Sequence, residues 1–164
     1  MKYLGIIFVI SSIGCILKRF TDGCLRSAED YKGIFEFLSF AEIRMADFLS
    51  PLSEIIRDFA KGENVTEASG LRMRLKAEAG SPGLRQLQRA ISDSLITDDE
   101  RERLNCLFSL FGNGYIGSVL KRVSEEKDYF KRKSTEKAER AMSLTKASWC
   151  VFSAGAAMLF IIVA

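Results

Sequence analysis

The chain has 164 residues, 48% of them hydrophobic, and its 24 basic and 21 acidic side chains leave a formal charge of +3. That length suits one domain with a modest core, and so even a charge balance gives no general case for nucleic-acid binding, which needs a clustered basic face. Histidine is absent, which removes the commonest general base and the commonest metal ligand.

The charges are unevenly spread. Residues 1–17 carry only Lys2, residues 147–164 carry none, and all the rest fall between Lys18 and Lys146. The chain therefore divides into an N-terminal apolar segment (1–17), a polar domain (18–146) and a C-terminal apolar segment (147–164). As a helix, Tyr3 to Leu17 is about 22 Å long, a short membrane span. Two other readings of this run remain: a secretory signal peptide, which the lack of a small-x-small cleavage site opposes, and a lipoprotein signal around Ser12-Ile13-Gly14-Cys15. Lys18 and Arg19 close the run.

Through the polar domain the expected elements are helical. Residues 20–33 form a mixed approach with Gly23 and Gly33 as weak points. Ile34, Leu38, Ala41, Met45, Phe48, Leu52, Ile55 and Phe59 then alternate steps of four and three, one face of a helix. Pro51 interrupts that series and suits a first helical turn. Two helices are expected, about 25–49 and 51–61, with Ser50 capping the second and Gly62 ending it. A third covers Thr66 to Glu78 and carries Arg72, Arg74 and Lys76. Gly80-Ser81-Pro82-Gly83 breaks the chain. Leu84, Leu87, Ile91 and Leu95 line a fourth helix. Thr97-Asp98-Asp99-Glu100 is a capping box opening a fifth, with Leu104, Leu107, Phe108 and Phe111 on its apolar face.

A glycine-rich break at 112–117 precedes a last helix, opened by Ser118. It is expected to continue into the final apolar run, about 70 Å in all. Its apolar face is thin: Leu120, Val123, Phe130, Ala138 and Met142. The pairs Asp128/Arg132 and Glu136/Arg140 have the spacing of helical ion pairs. The C-terminal run, Ala147 to Ala164, spans about 27 Å, close to the hydrocarbon thickness of a bilayer. Trp149, one turn from Lys146, has the place of an interfacial anchor.

The sequence thus predicts an all-α fold, a helical bundle between an N-terminal and a C-terminal transmembrane helix, with Lys18, Arg19, Lys146 and Trp149 at the membrane interface. Basic residues flank the inner ends of both apolar runs, which places the domain in the cytosol. Arg72, Arg74, Lys76, Arg85 and Arg89 form the candidate patch for an acidic partner, weighed against an ordinary solvated face.

Other patterns carry less. Gly112-x-Gly114-x-x-Gly117 has dinucleotide-binding spacing, but a helical pattern precedes it where that mechanism needs a strand. Asp98, Asp99, Glu100 and Glu102 come from one stretch, and acids suit a first helical turn. Cys15, Cys24, Cys106 and Cys150 contain no C-x-x-C pair and so give neither a zinc site nor a disulfide framework. No nucleophile has a recognisable activating base. The chain reads as a non-enzyme without cofactor, metal or small-molecule substrate.

The order of features resembles a known family. Lys2-Tyr3-Leu4-Gly5 opens the first apolar run. Ala41-Glu42-Ile43 and Ser50-Pro51-Leu52 follow, then Leu110-Phe111-Gly112, a Gly117-Ser118 restart, and a charged helix entering the C-terminal run. Together these resemble stage III sporulation protein AB of endospore-forming bacteria. The chain departs from the family pattern at Tyr115-Ile116-Gly117-Ser118-Val119, where Leu-Gly-x-x-Asp is usual. The resemblance implies a cytosolic helical domain similar to those of the type II secretion inner-membrane platform protein. It implies a place in the mother-cell membrane around the forespore, beside a cytosolic secretion-type ATPase and other channel membrane proteins. The alternative from a different class is an exported or lipid-anchored envelope protein modified at Cys15.

Overall fold

A computed structural model describes residues 2–62, 70–77, 83–111 and 115–163. All its regular structure is helical: α1 (Lys2–Phe48), α2 (Leu52–Lys61), α3 (Gly70–Ala77), α4 (Leu84–Ser92), α5 (Asp98–Ser109) and α6 (Ile116–Val163). The third expected helix is seen only over Gly70–Ala77. The ends assigned to it at Thr66 and Glu78, most of the Gly80–Gly83 break, and Gly112 and Gly114 lie outside the described residues.

Two long helices form the frame. α1 runs unbroken from Lys2 to Phe48, so neither glycine at 23 nor glycine at 33 interrupts it. α6 likewise passes from the charged stretch into the C-terminal apolar run. They lie antiparallel. Lys127 meets Glu42 at 2.6 Å, the Phe130 ring lies 6.0 Å from Tyr31, and a Cβ on Gly14 would sit 3.3 Å from the Phe152 ring. The four short helices pack against the half of this pair remote from the two apolar ends. Along α1 the buried apolar side chains run from Ala28 to Met45, and along α6 from Val119 to Ala141.

The core follows the helical period. Ile34, Leu38, Ala41 and Met45 turn inward on α1, Ile55 and Phe59 on α2, Leu87 and Ile91 on α4, Leu104, Leu107 and Phe108 on α5, and Val123 and Phe130 on α6. Phe37 joins three helices, meeting Phe59 edge-on at 5.2 Å and Phe108 at 5.9 Å. Such pairs add to the stabilisation from burying the rings. The period overreaches at element ends: Phe48, Leu95 and Met142, expected inside, are exposed. Each lies where its helix has run past the short helices that would cover it, or beyond a helix end.

Local signals were mixed. Thr97 and Glu100 form the expected capping box. Ser50 does not cap α2; Pro51 occupies the N-cap, with no side-chain bond. The physical reason is Leu49, which turns the chain out of α1 in the left-handed region (φ 50°), so that Ser50 N–H points back to the Arg44 carbonyl at 3.3 Å. α6 begins at Ile116 rather than Ser118, whose hydroxyl donates to the Tyr115 carbonyl at 2.7 Å. Glu136 pairs with Lys133, one turn earlier, rather than with Arg140.

Among the described residues, no helix is long and apolar enough to cross a membrane. The apolar stretches of α1 and α6 are diluted by Ser11, Ser12 and Gly14 in one and by Ser148, Ser153 and Gly155 in the other. The all-helical architecture stands; the two flanking spans expected at 1–17 and 147–164 are not supported by helix length and apolarity.

Candidate functional site

The basic group expected to form one patch divides in two. Arg72 is buried, with its guanidinium 4.5 Å from the Phe59 ring centre. Such stacking suits a planar cation against an aromatic face. Arg74 forms an ion pair with Asp30 of α1 and donates to the Asp93 carbonyl at 2.6 Å. Asp30 also accepts the Leu95 N–H at 2.7 Å. Burial lowers the Arg74 pKa from its ordinary value, partly offset by the nearby Asp93. These two arginines fasten α3 to its neighbours and are not available to a partner. The physical reason is that α3 is short and clasped between α1, α2 and α4, so Arg72 and Arg74 fall on its inner side while Lys76 stays outside.

Lys76, Arg85 and Arg89 are exposed. Lys76 lines a shallow recess of about 310 Å³ together with Ile56, Arg57, Ala60, Lys61, Leu75 and Gln86. Gln86 donates to the Leu75 carbonyl at 2.8 Å and holds α4 against α3 there. Sequence reasoning missed Lys61 and Arg57, because they belong to a different helix and nothing in the spacing brings α2 beside α3.

A second cluster was not anticipated as a unit. Glu100, the capping residue of α5, turns into the core and is buried. Its Oε2 accepts from the Tyr31 hydroxyl of α1, from Thr97 N–H at 3.1 Å and from Thr97 Oγ1 at 2.8 Å; its Oε1 accepts from the Tyr129 hydroxyl of α6 at 2.9 Å. Burial alone would raise the carboxyl pKa, but the hydrogen bonds from Tyr31, Thr97 and Tyr129 hold it below its ordinary value. Burial and the facing carboxylate push the Tyr31 hydroxyl well above the usual phenol range, and the Tyr129 hydroxyl in the same direction. Beside Tyr129, Arg103 stacks at 4.3 Å and makes a two-pronged ion pair with buried Glu126 at 2.9 and 3.0 Å. The cluster ties α1, α5 and α6 together. Its groups are engaged with one another, and it is a fastening.

The four expected interface residues lie at the other end of the long pair. Lys18 and Arg19 are exposed on α1, Lys146 and Trp149 on α6. The antiparallel pairing brings them to one level. Past them, exposed Ile13 and Ile16 on α1 and Val151 and Met158 on α6 surround the pair, and Phe20 stands beside the cations. Gly14 is the close approach here, with Phe152 against it, whereas Gly155 meets open space. The structure thus collects exposed large apolar side chains and a belt of cations at one end, 130 residues apart in sequence between Arg19 and Trp149. No protein-family model, no curated protein and no solved structure matches the chain.

Proposed function

We propose that this chain is a non-enzymatic membrane platform subunit, set in the mother-cell membrane around the forespore as part of a type II secretion-like sporulation channel. One observation supports the membrane reading above all. Folding brings both apolar runs out side by side at one end of the molecule, with Ile13, Ile16, Val151 and Met158 exposed and Lys18, Arg19, Lys146 and Trp149 at their inner boundary. Exposed apolar area of this kind marks an interaction surface, and flanking cations with an aromatic residue match a bilayer boundary. On this reading the two ends enter the bilayer together as a hairpin, and the helical domain faces the cytosol.

The order of elements supports the platform assignment through its resemblance to stage III sporulation protein AB. The proposed partners are the cytosolic secretion-type ATPase and other channel membrane proteins. Lys76, Arg85 and Arg89 are the surface offered to them. The rival reading, a lipoprotein processed before Cys15, would remove Gly14 and cut α1 inside a continuous helix at its contact with Phe152; that observation favours the uncut chain.

A clean in-frame deletion, followed through sporulation by membrane-stained microscopy, tests the proposal. Engulfed forespores that shrink or stall without late gene expression are the expected result. Normal spores would overturn the platform assignment and leave only the membrane-anchored helical domain.

A further inference from the structure

At the level of the cation belt, α1 and α6 part to leave a cleft of about 500 Å³, lined among others by Lys18 and Asp22 of α1 and by Trp149 and Phe152 of α6. Its lining is graded along the pair. Gly14, Leu17 and Phe152 are its apolar floor toward the apolar end. Lys18 and Trp149 come next, and Asp22 follows one turn further toward the polar domain. The hydroxyls of Thr21 and Thr145 are spent on their own helix, donating to the Lys18 carbonyl at 2.9 Å and the Ala141 carbonyl at 2.8 Å. That leaves Lys18 and Asp22 as the charged groups of the cleft. Neither forms a salt bridge with another described residue.

We infer that this cleft binds the headgroup of an aminophospholipid, phosphatidylethanolamine, with its glycerol and upper acyl chain against Gly14, Leu17 and Phe152. The inference rests on the membrane reading given above. A lysine and an aspartate one turn apart, roughly 6 Å between their Cβ atoms, present opposite charges in the order in which this headgroup presents its own. The phosphate, nearer the hydrocarbon, meets Lys18. The ammonium, two carbons further out, meets Asp22 and donates hydrogen bonds to it. A choline headgroup has no N–H to donate, and a purely anionic headgroup would set negative charge against Asp22. Diffuse attraction to Lys18, Arg19 and Lys146 makes the contrary forecast, since it favours anionic lipid.

Trp149, the single tryptophan of the chain, lines the cleft and reports on it directly. The full chain is reconstituted into phosphatidylcholine vesicles holding the same minor fraction of brominated phosphatidylethanolamine, phosphatidylcholine or phosphatidylglycerol, and quenching of Trp149 fluorescence is measured. The expected result is about fivefold apparent enrichment of phosphatidylethanolamine over phosphatidylcholine, the size of one good charge contact near a membrane surface. Lys18→Gln and Asp22→Asn should each abolish most of it. Arg19→Gln, outside the cleft, should leave it. Gly14→Leu should abolish it by filling the floor, while Gly23→Leu, whose side chain meets open space, should not. Equal quenching by the three lipids overturns the inference, as does a phosphatidylglycerol excess that Asp22→Asn leaves intact. Failure of the chain to float with vesicles at all overturns the membrane reading, and the cleft assignment with it.

Discussion

Glu100→Gln is the sharpest test of how the domain is held together. The change keeps the volume and removes the charge. Three donors converge on Oε2: the Tyr31 hydroxyl, Thr97 N–H and Thr97 Oγ1. An amide oxygen placed there still accepts from them, but each bond falls from the charged class, about 1.5–3 kcal/mol, to the neutral class, about 0.5–1.5 kcal/mol. The amide nitrogen takes the place of Oε1 and cannot accept from Tyr129. Against these losses, the substitution relieves the burial penalty that is the largest single influence on this carboxyl. The net cost is expected to be about 2 kcal/mol, a substantial share of a domain stability of roughly 5–15 kcal/mol. Urea unfolding of the full chain in mild detergent, followed by far-ultraviolet circular dichroism, measures it.

The acid response gives an independent reading of the same group. Glu100 in the folded chain lies below its ordinary value of 4.5. A depressed carboxyl binds its proton more readily in the unfolded chain, so its stabilisation is complete above that unfolded value and fades as pH falls through the lower folded one. The native chain should lose stability below about pH 4.5, and Glu100→Gln should flatten that fall. Tyr31→Phe should cost less than Glu100→Gln, and the two together less than their sum, because they share one hydrogen bond. A loss under about 0.5 kcal/mol, with the acid slope unchanged, would refute the idea that this network fastens the three helices.

Other substitutions separate fastening from surface. Phe37→Ala should cost about 3–5 kcal/mol, since the fully buried ring touches both α2 and α5; the same urea titration reads it. Arg74→Ala should cost about 2–3 kcal/mol by stripping buried Asp30 of its cation, although the Leu95 N–H still serves that carboxylate. Joint reversal of exposed Lys76, Arg85 and Arg89 to glutamate should leave the urea midpoint unchanged and, on the proposed platform reading, weaken association with a secretion-type ATPase in a pull-down; undiminished binding retires that surface. Leu49→Gly should raise stability by about 0.5–1 kcal/mol, because glycine adopts the left-handed conformation without a Cβ clash.

Much of the frame was legible because it rests on local rules. The four-and-three spacing from Ile34 to Phe59 gave the core face of α1 and α2, and the Thr97–Glu100 box gave the start of α5. What failed was everything set by distant neighbours. Arg72 and Arg74 look like a solvated face because they alternate with Leu71, Met73 and Leu75, and nothing local says that Phe59 of α2 and Asp30 of α1 will draw them inward. Glu100 was legible as a cap and illegible as a hub, since its tyrosine partners stand 69 and 29 positions away. Glu126 sits in a run of charges, where no pattern distinguishes the one that Arg103 will draw inward.

Those inward charges have a common placement that suggests their purpose. α1 and α6 are each long, and a thin apolar stripe between two long helices tolerates sliding. Sliding by one residue's rise moves a helix about 1.5 Å along its axis. Apolar contacts survive such a shift far better than directional ones. Glu42–Lys127, Tyr31–Glu100–Tyr129 and Arg103–Glu126 each join α6 to α1 or to α5, and all three break on a slip. Buried charge is costly as a source of stability and best attested as a device for fixing register. Nearer the apolar end, the Gly14–Phe152 fit works by shape instead. Register set in the domain therefore decides whether Lys18 and Asp22 face Trp149 across the cleft. A variant that loosens the Glu100 hub should disturb fluorescence from Trp149, at the other end of the helix pair, before it unfolds the chain.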